Sequence, residues 1–583
     1  MDELHKQKQT QNSAALPLIT DANANADTSV GVAAKVTVEE AAAEMAFVNF
    51  NHLISASDQY GLVARFLPAS AQLFPSTTFV AAPSIAALVP GSHPVSAAWN
   101  NDDGVWIDQL CAILNTYKVD FTMIGLFRIA GLCRIISADD TGGSDDRPPA
   151  IVIAISPRSL SVMSARQVVG QICLLLQSFG FHQSVLVELV EGIYTPYHTL
   201  TDEAKASKRY LDDQAVSFED TYRVHPYPGT SIGPSSPSSS SGTLGCYLKL
   251  VRRLPDHNNK EQVKYLAVTT HHVLFPEHTR SVAGYTSNLP TVEQPSPADS
   301  ERWVASLREQ VRLLELYTTT SIKGDDFGNM ALRDFGADSD FHQSLGEARR
   351  RLGVAESMSR YLGLILCSSG INTYTSSQKE SVKSHLDWGL VEIDESRLPP
   401  DPDATVNAPA PFVYKEAGPK VAKYGYNQNN EGLVYKIGRT TGVTIGRFAG
   451  SHILLRTTSR SDQPVSSAPE HHVLVEQAIV PDQPGADFAS FGDSGAVIRD
   501  FRQRPVGLLY GGLEADDASK PTNANATAVA ATTMTDLNVV FHPPGVLLRH
   551  IYLYTPFDAV LASMRGAMAE LFGDGVCELS WIS

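Results

Sequence analysis

The sequence Gly492-Asp493-Ser494-Gly495 places a serine between two glycines, directly before the apolar residues 496–498. A tight turn of this kind presents the serine hydroxyl outward, and the backbone N–H groups of Gly492 and Ser494 can then face one point, as an oxyanion hole requires. The tetrapeptide arises by chance in about one chain in a hundred of this length. It therefore predicts a nucleophilic serine only if a base and an orienting acid accompany it.

A serine hydroxyl is a weak nucleophile, so a histidine must take its proton. His272 is the leading candidate because it follows the apolar strand predicted over residues 263–270, where the chain turns. Its neighbour His271 is the main alternative and His278 a weaker one, and strand parity lets only one of the adjacent pair face the serine. Because the chain has 17 histidines, a packing or surface role is the ordinary alternative for each of them.

The histidine in turn needs a carboxylate that fixes its tautomer and stabilises the imidazolium ion. Asp387 directly precedes the apolar strand predicted over residues 388–393, where a carboxylate can be partly buried and still reach a neighbouring loop. Asp394 ends the same strand and is the alternative, although the adjacent Glu395 is typical of a solvated strand end. For either aspartate taken alone, a surface charge is the ordinary alternative.

The three candidates follow one another in the chain order His272, Asp387, Ser494. This is the order of the chymotrypsin fold, and it differs from the orders of subtilisin and the α/β-hydrolases. Beyond residue 242 the chain consists mainly of short apolar strands separated by turn residues, which is the all-β pattern. Order and pattern together predict a catalytic triad on an all-β scaffold.

The length of 583 residues and the changes in composition along the chain predict several domains. Residues 1–40 are polar and aperiodic, which is typical of a disordered tail. Residues 41–225 are predicted to form an α/β domain of regulatory or binding type, because a strand, a helix and a strand suggest one parallel crossover without a phosphate-binding glycine loop. Residues 226–242 are rich in Pro, Ser and Gly and are predicted to be a flexible linker. Residues 243–583 form the all-β domain, with a helical insertion at about 290–360.

Charge and composition exclude several classes of partner. The net charge of −17, without any basic cluster, argues against nucleic acid. No apolar run reaches membrane-spanning length, and the polar N-terminal residues lack the apolar core of a secretory signal. The six cysteines are scattered without a close metal-type pair, as expected of free thiols in a reducing compartment. We therefore expect an intracellular protein, cytoplasmic or nuclear, with no cofactor and no metal.

The chain also resembles a known superfamily. Residues 242–565 look like the trypsin-like serine proteases, and the closer similarity is to intracellular fungal relatives of the amino-acid-sensor processing protease. Four segments carry the resemblance, and they are residues 270–275, 387–390, 436–444 and 491–496. It implies two six-stranded antiparallel barrels with the site in the cleft between them. His272 and Asp387 would come from the first barrel and Ser494 from the second. The upstream α/β region is similar to the region that precedes the protease in those proteins.

The resemblance implies binding residues as well. The N–H groups of Gly492 and Ser494 would form the oxyanion hole, and Tyr510, Gly511 and Gly512 would pair with an extended substrate. Phe488, six residues before the serine, would lie at the base of the primary specificity pocket. A pocket without a buried carboxylate favours a small or apolar substrate side chain.

Three features depart from the family pattern. His272 and Asp387 lie 115 positions apart, so the helical segments must form an insertion packed outside the first barrel. Val273 stands where secreted relatives have a disulfide-bonded cysteine. In those relatives the aspartate before the serine pairs with a new N-terminus after activation, whereas Asp493 has either another partner or none.

The expected function is therefore that of a serine endopeptidase acting on a protein or peptide substrate through an acyl-enzyme. The N-terminal domain would inhibit it, target it or assist its folding, and would contact the protease domain within the chain. The alternative is a protease-fold protein that serves as a binding or regulatory module with an idle cleft. A plain esterase would use the same residues.

Overall fold

The described part of the chain is mostly β-structure with several helices. The computed structural model describes residues 62–66, 71–73, 84–89, 93–100, 105–130, 133–135, 149–181, 184–191, 193–196, 217–235, 240–254, 260–276, 281–283, 289–321, 338–376, 379–405, 407, 432–458, 471–482, 486–514, 551–573 and 577–582. The predicted tail, residues 1–40, lies outside them. All of the described residues belong to one compact unit.

The strands and helices have the following bounds. The strands are β1 (Leu62–Phe66), β2 (Ala71–Leu73), β3 (Ser84–Leu88), β4 (Phe121–Ala130), β5 (Cys133–Ile135), β6 (Pro149–Ile155), β7 (Leu186–Glu191), β8 (Ile193–Pro196), β9 (Ser231–Pro234), β10 (Gly242–Thr243), β11 (Cys246–Leu254), β12 (Lys260–Thr269), β13 (Val282–Ala283), β14 (Thr291–Glu293), β15 (Tyr361–Ser368), β16 (Asn372–Ser376), β17 (Lys379–Leu386), β18 (Gly389–Ile393), β19 (Leu433–Gly438), β20 (Gly442–Phe448), β21 (Ile453–Thr458), β22 (His471–Pro481), β23 (Val497–Asp500), β24 (Pro505–Glu514), β25 (Tyr552–Pro556) and β26 (Cys577–Trp581). The helices are α1 (Pro94–Asn100), α2 (Val105–Thr116), α3 (Val162–Ser178), α4 (Phe218–Thr221), α5 (His271–Leu274), α6 (Pro297–Ser321), α7 (Asp338–Ser357), α8 (Pro402–Thr405) and α9 (Phe557–Phe572), with a 3₁₀ turn at Glu395–Arg397.

Six antiparallel strands close into a barrel that carries the serine motif. The pairing runs from β19 through β20, β22, β25, β24 and β23 and returns to β19. Apolar side chains fill its interior, among them Val434, Ile479 and Leu509. Strand β23 begins three residues after Ser494. This closed barrel with additional strands is compatible with a chymotrypsin-like barrel.

A second sheet carries the predicted histidine and aspartate. Its strand order is β10-β9-β14-β15-β18-β12-β11-β26. Strands β12 and β18 are antiparallel neighbours, with Thr269 opposite Gly389. His272 follows the end of β12 and Asp387 precedes the start of β18. Because these strands are antiparallel, both residues lie at the same end of the strand pair. The register thus brings together two residues that are far apart in sequence.

The predicted helical insertion lies between β14 and β15. Helices α6 and α7 form a hairpin that is joined by the exposed ion pairs Arg308–Glu356 and Arg349–Glu315. Leu307 of α6 is buried against the short helix α4. Exposed ion pairs of this kind contribute little stability, about 0 to 1 kcal/mol each. The buried apolar contact is therefore the stronger anchor of the hairpin.

The upstream region contains the predicted parallel crossover. Strand β6 pairs in parallel with β7, and α3 connects them. The helix is capped by Ser161, whose hydroxyl accepts the N–H of Ser164. Strand β4 pairs with β21, so the upstream sheet continues into the barrel sheet. None of the described helices combines the length and the apolar composition that crossing a membrane requires.

The segment predicted as a flexible linker, residues 226–242, is packed where the structure describes it. Strand β9 is buried and pairs with both β10 and β14. The N–H of Gly229 donates to the carbonyl of Leu244 at 2.7 Å, and the hydroxyl of Tyr247 donates to the carbonyl of Pro226 at 3.0 Å. Because these backbone groups are satisfied by the protein, residues 226–234 are not a free linker. The other predicted domain boundaries stay predictions.

Candidate active site

His272 lies where β12 ends and the chain enters the short helix α5, and it is only 1% exposed. The alternative candidate His271 turns to other partners. Its Nδ1 lies 2.9 Å from the hydroxyl of Ser368, and its ring lies 5.1 Å from that of Phe275. His278 lies outside the described residues. The two adjacent histidines therefore contact different side chains, although both lie in the helix α5 and not in the strand whose parity the prediction used.

Asp387 holds His272 through both of its carboxylate oxygens. Oδ1 accepts the backbone N–H of His272 at 3.0 Å, and Oδ2 contacts the ring Nδ1. Burial alone would raise the pKa of the Asp387 carboxyl, but the charge and hydrogen bond of His272 hold this pKa well below its usual range. An ionised carboxylate only accepts hydrogen bonds, so the contact selects the tautomer with the proton on Nδ1. The alternative Asp394 instead caps the 3₁₀ turn by accepting the N–H of Ser396.

Ser494 lies in a turn that two glycines in the left-handed region make possible. Gly492 has φ +90° and Gly495 has φ +91°, values that other residues rarely adopt. The carbonyl of Ser494 accepts the N–H of Thr243 at 2.8 Å. Among the described residues, no backbone acceptor takes the N–H of Gly492 or of Ser494. These are the two donors that the sequence predicts for an oxyanion hole.

The serine turn packs against the strand that leads to His272. A methyl group at Gly495 would lie 2.3 Å from Oγ1 of Thr269, the last residue of β12. Ser494 is itself 1% exposed, and its Oγ has no hydrogen-bond partner in the described part of the chain. The structure therefore brings His272 and Asp387 into contact and places the serine turn beside their sheet, without a hydrogen bond between Ser494 and His272.

Asp493 has a buried lysine as its partner. Its Oδ2 lies 2.9 Å from Nζ of Lys436, and both side chains are fully buried. The same carboxylate accepts the N–H groups of Thr440 at 2.8 Å and Ser490 at 3.0 Å and the hydroxyl of Thr441 at 2.6 Å. Burial alone would raise the pKa of Asp493, but Lys436, the hydroxyl of Thr441 and the N–H of Thr440 lower this pKa. The sequence left the partner of Asp493 open, and the structure assigns this role to Lys436.

Two predicted substrate-binding side chains are buried against aromatic rings. Phe488 is fully buried in the barrel core, with its ring 5.7 Å from that of Tyr552. Tyr510 is 1% exposed, and its ring lies 4.6 Å from that of His385. Their roles in a specificity pocket and at a substrate edge stay predictions.

The edge predicted to bind substrate is already paired with another segment of the chain. Strand β24 contains Gly511 and Gly512, and β8 pairs with it antiparallel, placing Pro196 opposite Gly511 and Thr195 opposite Gly512. An extended substrate would form a ladder of the same kind. The upstream region therefore pairs with the strand segment that the resemblance assigns to a substrate.

Four charged residues near the site were not predicted from the sequence. Lys436 lies inside a strand whose six residues are all buried, and a lysine within an apolar run is the signal that could have indicated it. Arg439 and Asp299 form a buried ion pair beside the serine turn. Glu476 is fully buried and accepts the N–H of His385 at 2.7 Å. No local pattern in the sequence distinguishes the last three from surface charges.

The described residues contain no group of three or more His, Cys, Asp or Glu side chains that could hold a metal ion. Among the described side chains, five cysteines carry free thiols, including the buried Cys246 and Cys367. Burial raises the pKa of both thiols to about 12. Such thiols remain protonated at neutral pH and are poor nucleophiles.

No family model matches the chain, and no curated protein matches it either. The functional argument therefore depends on the geometry of the site.

Proposed function

We propose that the chain is a serine endopeptidase of the trypsin-like superfamily, with His272, Asp387 and Ser494 as its catalytic triad. The observation that carries the proposal is the buried contact of Asp387 with both the ring Nδ1 and the backbone N–H of His272. A carboxylate in this position fixes the tautomer in which Nε2 can accept a proton. A merely structural ion pair would not require a glycine-flanked serine turn beside the same strand.

The proposed reaction follows from these roles. Nε2 of His272 takes the proton of the Ser494 hydroxyl as Oγ bonds to the scissile carbonyl carbon. The N–H groups of Gly492 and Ser494 stabilise the oxyanion that forms. The imidazolium then gives its proton to the leaving amine, and an acyl-enzyme remains. Water releases the acyl group by the same steps, with His272 again acting first as base and then as acid.

The same proposal includes the double-barrel architecture. In the sheet that carries His272 and Asp387, β9 pairs with β14 on one side and with β10 on the other, and only two residues separate β10 from β11. We read β9, β14, β15, β18, β12 and the β10–β11 segment as the first barrel. His272 and Asp387 then come from the first barrel and Ser494 from the second. The site lies between them, as in trypsin-like proteases.

The pairing of β8 with β24 supports a regulatory role for the upstream region. In this form of the chain, Ile193–Pro196 occupies the backbone groups to which a peptide would bind. Substrate must displace this segment before it can pair with the same edge. The resemblance puts Phe488 at the base of the primary specificity pocket, where a phenylalanine in place of a carboxylate favours small or apolar substrate side chains.

A second function has specific observations in its favour. Oγ of Ser494 makes no hydrogen bond to the described residues, and the substrate edge is occupied. Both facts fit a protease fold that is used as a binding or regulatory module. The triad residue types favour the endopeptidase.

A serine-directed fluorophosphonate probe separates the two functions. We expect the full-length chain to be labelled at Ser494, identified by peptide mass spectrometry, and the Ser494→Ala variant not to be labelled. Labelling that persists in Ser494→Ala would identify a different nucleophile. Circular dichroism and a cooperative melting curve confirm that each variant is folded.

A separate pair of variants tests whether β8 blocks the proposed substrate edge of β24. Proline at Tyr194 and Thr195 removes two backbone donors from β8, whereas alanine at both positions keeps them. We expect Tyr194→Pro/Thr195→Pro to be labelled faster than wild type and Tyr194→Ala/Thr195→Ala to resemble wild type. If neither wild type nor the folded proline variant is labelled, the binding-module function is the correct one.

A further inference from the structure

The helical insertion contributes a buried carboxylate beside the serine turn. Asp299, in the first turn of α6, is 1% exposed. Nη1 of Arg439 lies 3.0 Å from both of its carboxylate oxygens. Asp299 also accepts the hydroxyl of Ser241 at 2.8 Å and Nη1 of Arg302 at 3.1 Å, and it contacts the hydroxyl of Ser231. The cost of burying this charge is therefore offset by two arginines and two hydroxyl groups.

The guanidinium of Arg439 lies directly against Gly492. A methyl group on Gly492 would be 2.2 Å from Nη2 of Arg439 and 2.5 Å from its Cζ, so the planar group occupies the space where a side chain would stand. The backbone is linked in the same way. Arg439 N–H donates to Oγ1 of Thr243 at 3.1 Å, and that hydroxyl donates to the carbonyl of Gly492 at 2.8 Å. The N–H of Thr243 donates to the carbonyl of Ser494 at 2.8 Å.

These contacts connect the insertion to the backbone of Gly492 and Ser494, the two residues whose N–H groups are the oxyanion donors. The pair with Asp299 fixes Arg439, Arg439 supports Gly492 from one side, and Thr243 holds the carbonyls of Gly492 and Ser494. Oxyanion donors act only when their N–H groups are aimed within a few tenths of an ångström, and a misplacement of about 1 Å can reduce the rate about 100-fold.

We infer that Asp299 and Arg439 are positioning residues for the oxyanion hole, and that the helical insertion is a working part of the active site. The inference deepens the function proposed for Ser494 and rests on it. Neither side chain needs to touch substrate. The insertion acts by supplying Asp299, which orients Arg439 against the back of the serine turn.

The test measures inactivation of the full-length chain by a fluorophosphonate, whose phosphoryl oxygen enters the oxyanion hole. Saturation kinetics separate the binding constant of the probe from the first-order rate of bond formation. For Arg439→Met we expect the first-order rate to fall about 10- to 100-fold, because the peptide of Gly492 loses its support, while the binding constant changes less than about 3-fold. Arg439→Lys keeps the charge without the planar group, and its rate should lie between those of wild type and Arg439→Met.

Two further variants distinguish positioning from general destabilisation. Arg302→Met removes the other arginine on the same carboxylate but leaves the contact between Arg439 and Gly492, and we expect its rate to remain within about 3-fold of wild type. The double variant Asp299→Asn/Arg439→Met carries no uncompensated buried charge and should remain folded. If Asp299 acts through Arg439, the double variant should react no more slowly than Arg439→Met alone.

The possible failures are distinguishable. A wild-type rate in folded Arg439→Met would overturn the inference while leaving the proposed function intact. A double variant that reacts more slowly than Arg439→Met would show that Asp299 acts independently of Arg439, which also overturns the inference. If neither wild type nor the β8 proline variant is labelled at Ser494, the proposed function is wrong and the inference falls with it.

Discussion

Replacing Lys436 with Met tests whether a buried ion pair holds the serine turn. Methionine has nearly the same length as lysine but removes the charge, so Asp493 keeps its shape-matched neighbour and loses its counter-ion. The Asp493 carboxylate would retain four other donors, from the N–H groups of Thr440, Thr441 and Ser490 and the hydroxyl of Thr441. These donors reduce the penalty of the unpaired charge without removing it.

The expected loss of folding free energy in Lys436→Met follows from this environment of Asp493. Breaking a buried ion pair on one side costs about 3 to 5 kcal/mol of folding free energy. Because four donors remain on Asp493, we expect the lower end, about 3 kcal/mol. The double variant Lys436→Met/Asp493→Asn has no buried charge, and a neutral replacement of both partners is often nearly neutral for stability. We expect it to lose about 1 kcal/mol, so the two changes should couple by about 2 kcal/mol or more.

Urea unfolding monitored by tryptophan fluorescence measures this cycle for wild type, both single variants and the double variant. Fluorophosphonate labelling of the same proteins reports on the serine turn. We expect Lys436→Met to be labelled more slowly even where it is fully folded, since Asp493 adjoins Ser494. A loss below about 1 kcal/mol in Lys436→Met, or strictly additive losses in the double variant, would refute the argument that this pair anchors the turn.

Three further predictions concern the triad, a buried carboxyl and the oxyanion turn. Asp387→Asn should reduce the fluorophosphonate labelling rate by about 10⁴-fold, because the amide NH2 can donate to Nδ1 of His272 and so favour the tautomer with the proton on Nε2, and stopped-time labelling at pH 7 measures the loss. Burial raises the pKa of Glu476 from its ordinary value of 4.5 to about 8, so the folded state holds a proton that the unfolded chain releases. Wild type should therefore lose stability as pH rises from 4.5 to about 8, Glu476→Gln should not, and urea unfolding at the two ends of this range shows the difference. Gly492→Ala should abolish labelling and destabilise the chain by about 1 to 3 kcal/mol in the same unfolding assay, because alanine is strained at φ +90° and its methyl would collide with Arg439.

Several elements follow directly from hydrophobic periodicity. The pattern predicts a strand at residues 150–155 and helices at residues 297–317 and 556–572, and β6, α6 and α9 lie within a few residues of these segments. A continuous apolar run or a single apolar face can be buried in only one kind of element, so the pattern is informative by itself. The predicted positions of His272 and Asp387 at strand ends have the same origin. Their contact does not, because the pairing of β12 with β18 joins segments on either side of the insertion.

The prediction of a flexible linker at residues 226–242 rested on the amino-acid composition of the whole segment, and composition does not detect a very short strand within it. Residues 226–242 contain many Pro, Ser and Gly residues, but the four-residue strand β9 lies among them. A strand this short presents Ile232 as its main apolar side chain and offers no alternation to detect. Its stability comes from backbone pairing with β10 and β14, which only the tertiary fold supplies.

The charges around the serine turn could not be predicted for a related reason. Lys436 and Arg439 stand three residues apart, yet they pair with carboxylates from different parts of the chain, Asp493 of the turn and Asp299 of the insertion. The backbone at Gly438, between Lys436 and Arg439, packs closely against Asp493. A methyl group on Gly438 would lie 2.3 Å from Oδ1 of Asp493. A turn with two left-handed glycines has little intrinsic preference for one conformation. Buried charges impose one, because any movement that separates a pair leaves an ion without compensation in a water-free interior. The same desolvation that makes these four side chains costly to bury therefore makes the orientation of the Gly492 and Ser494 peptides well defined.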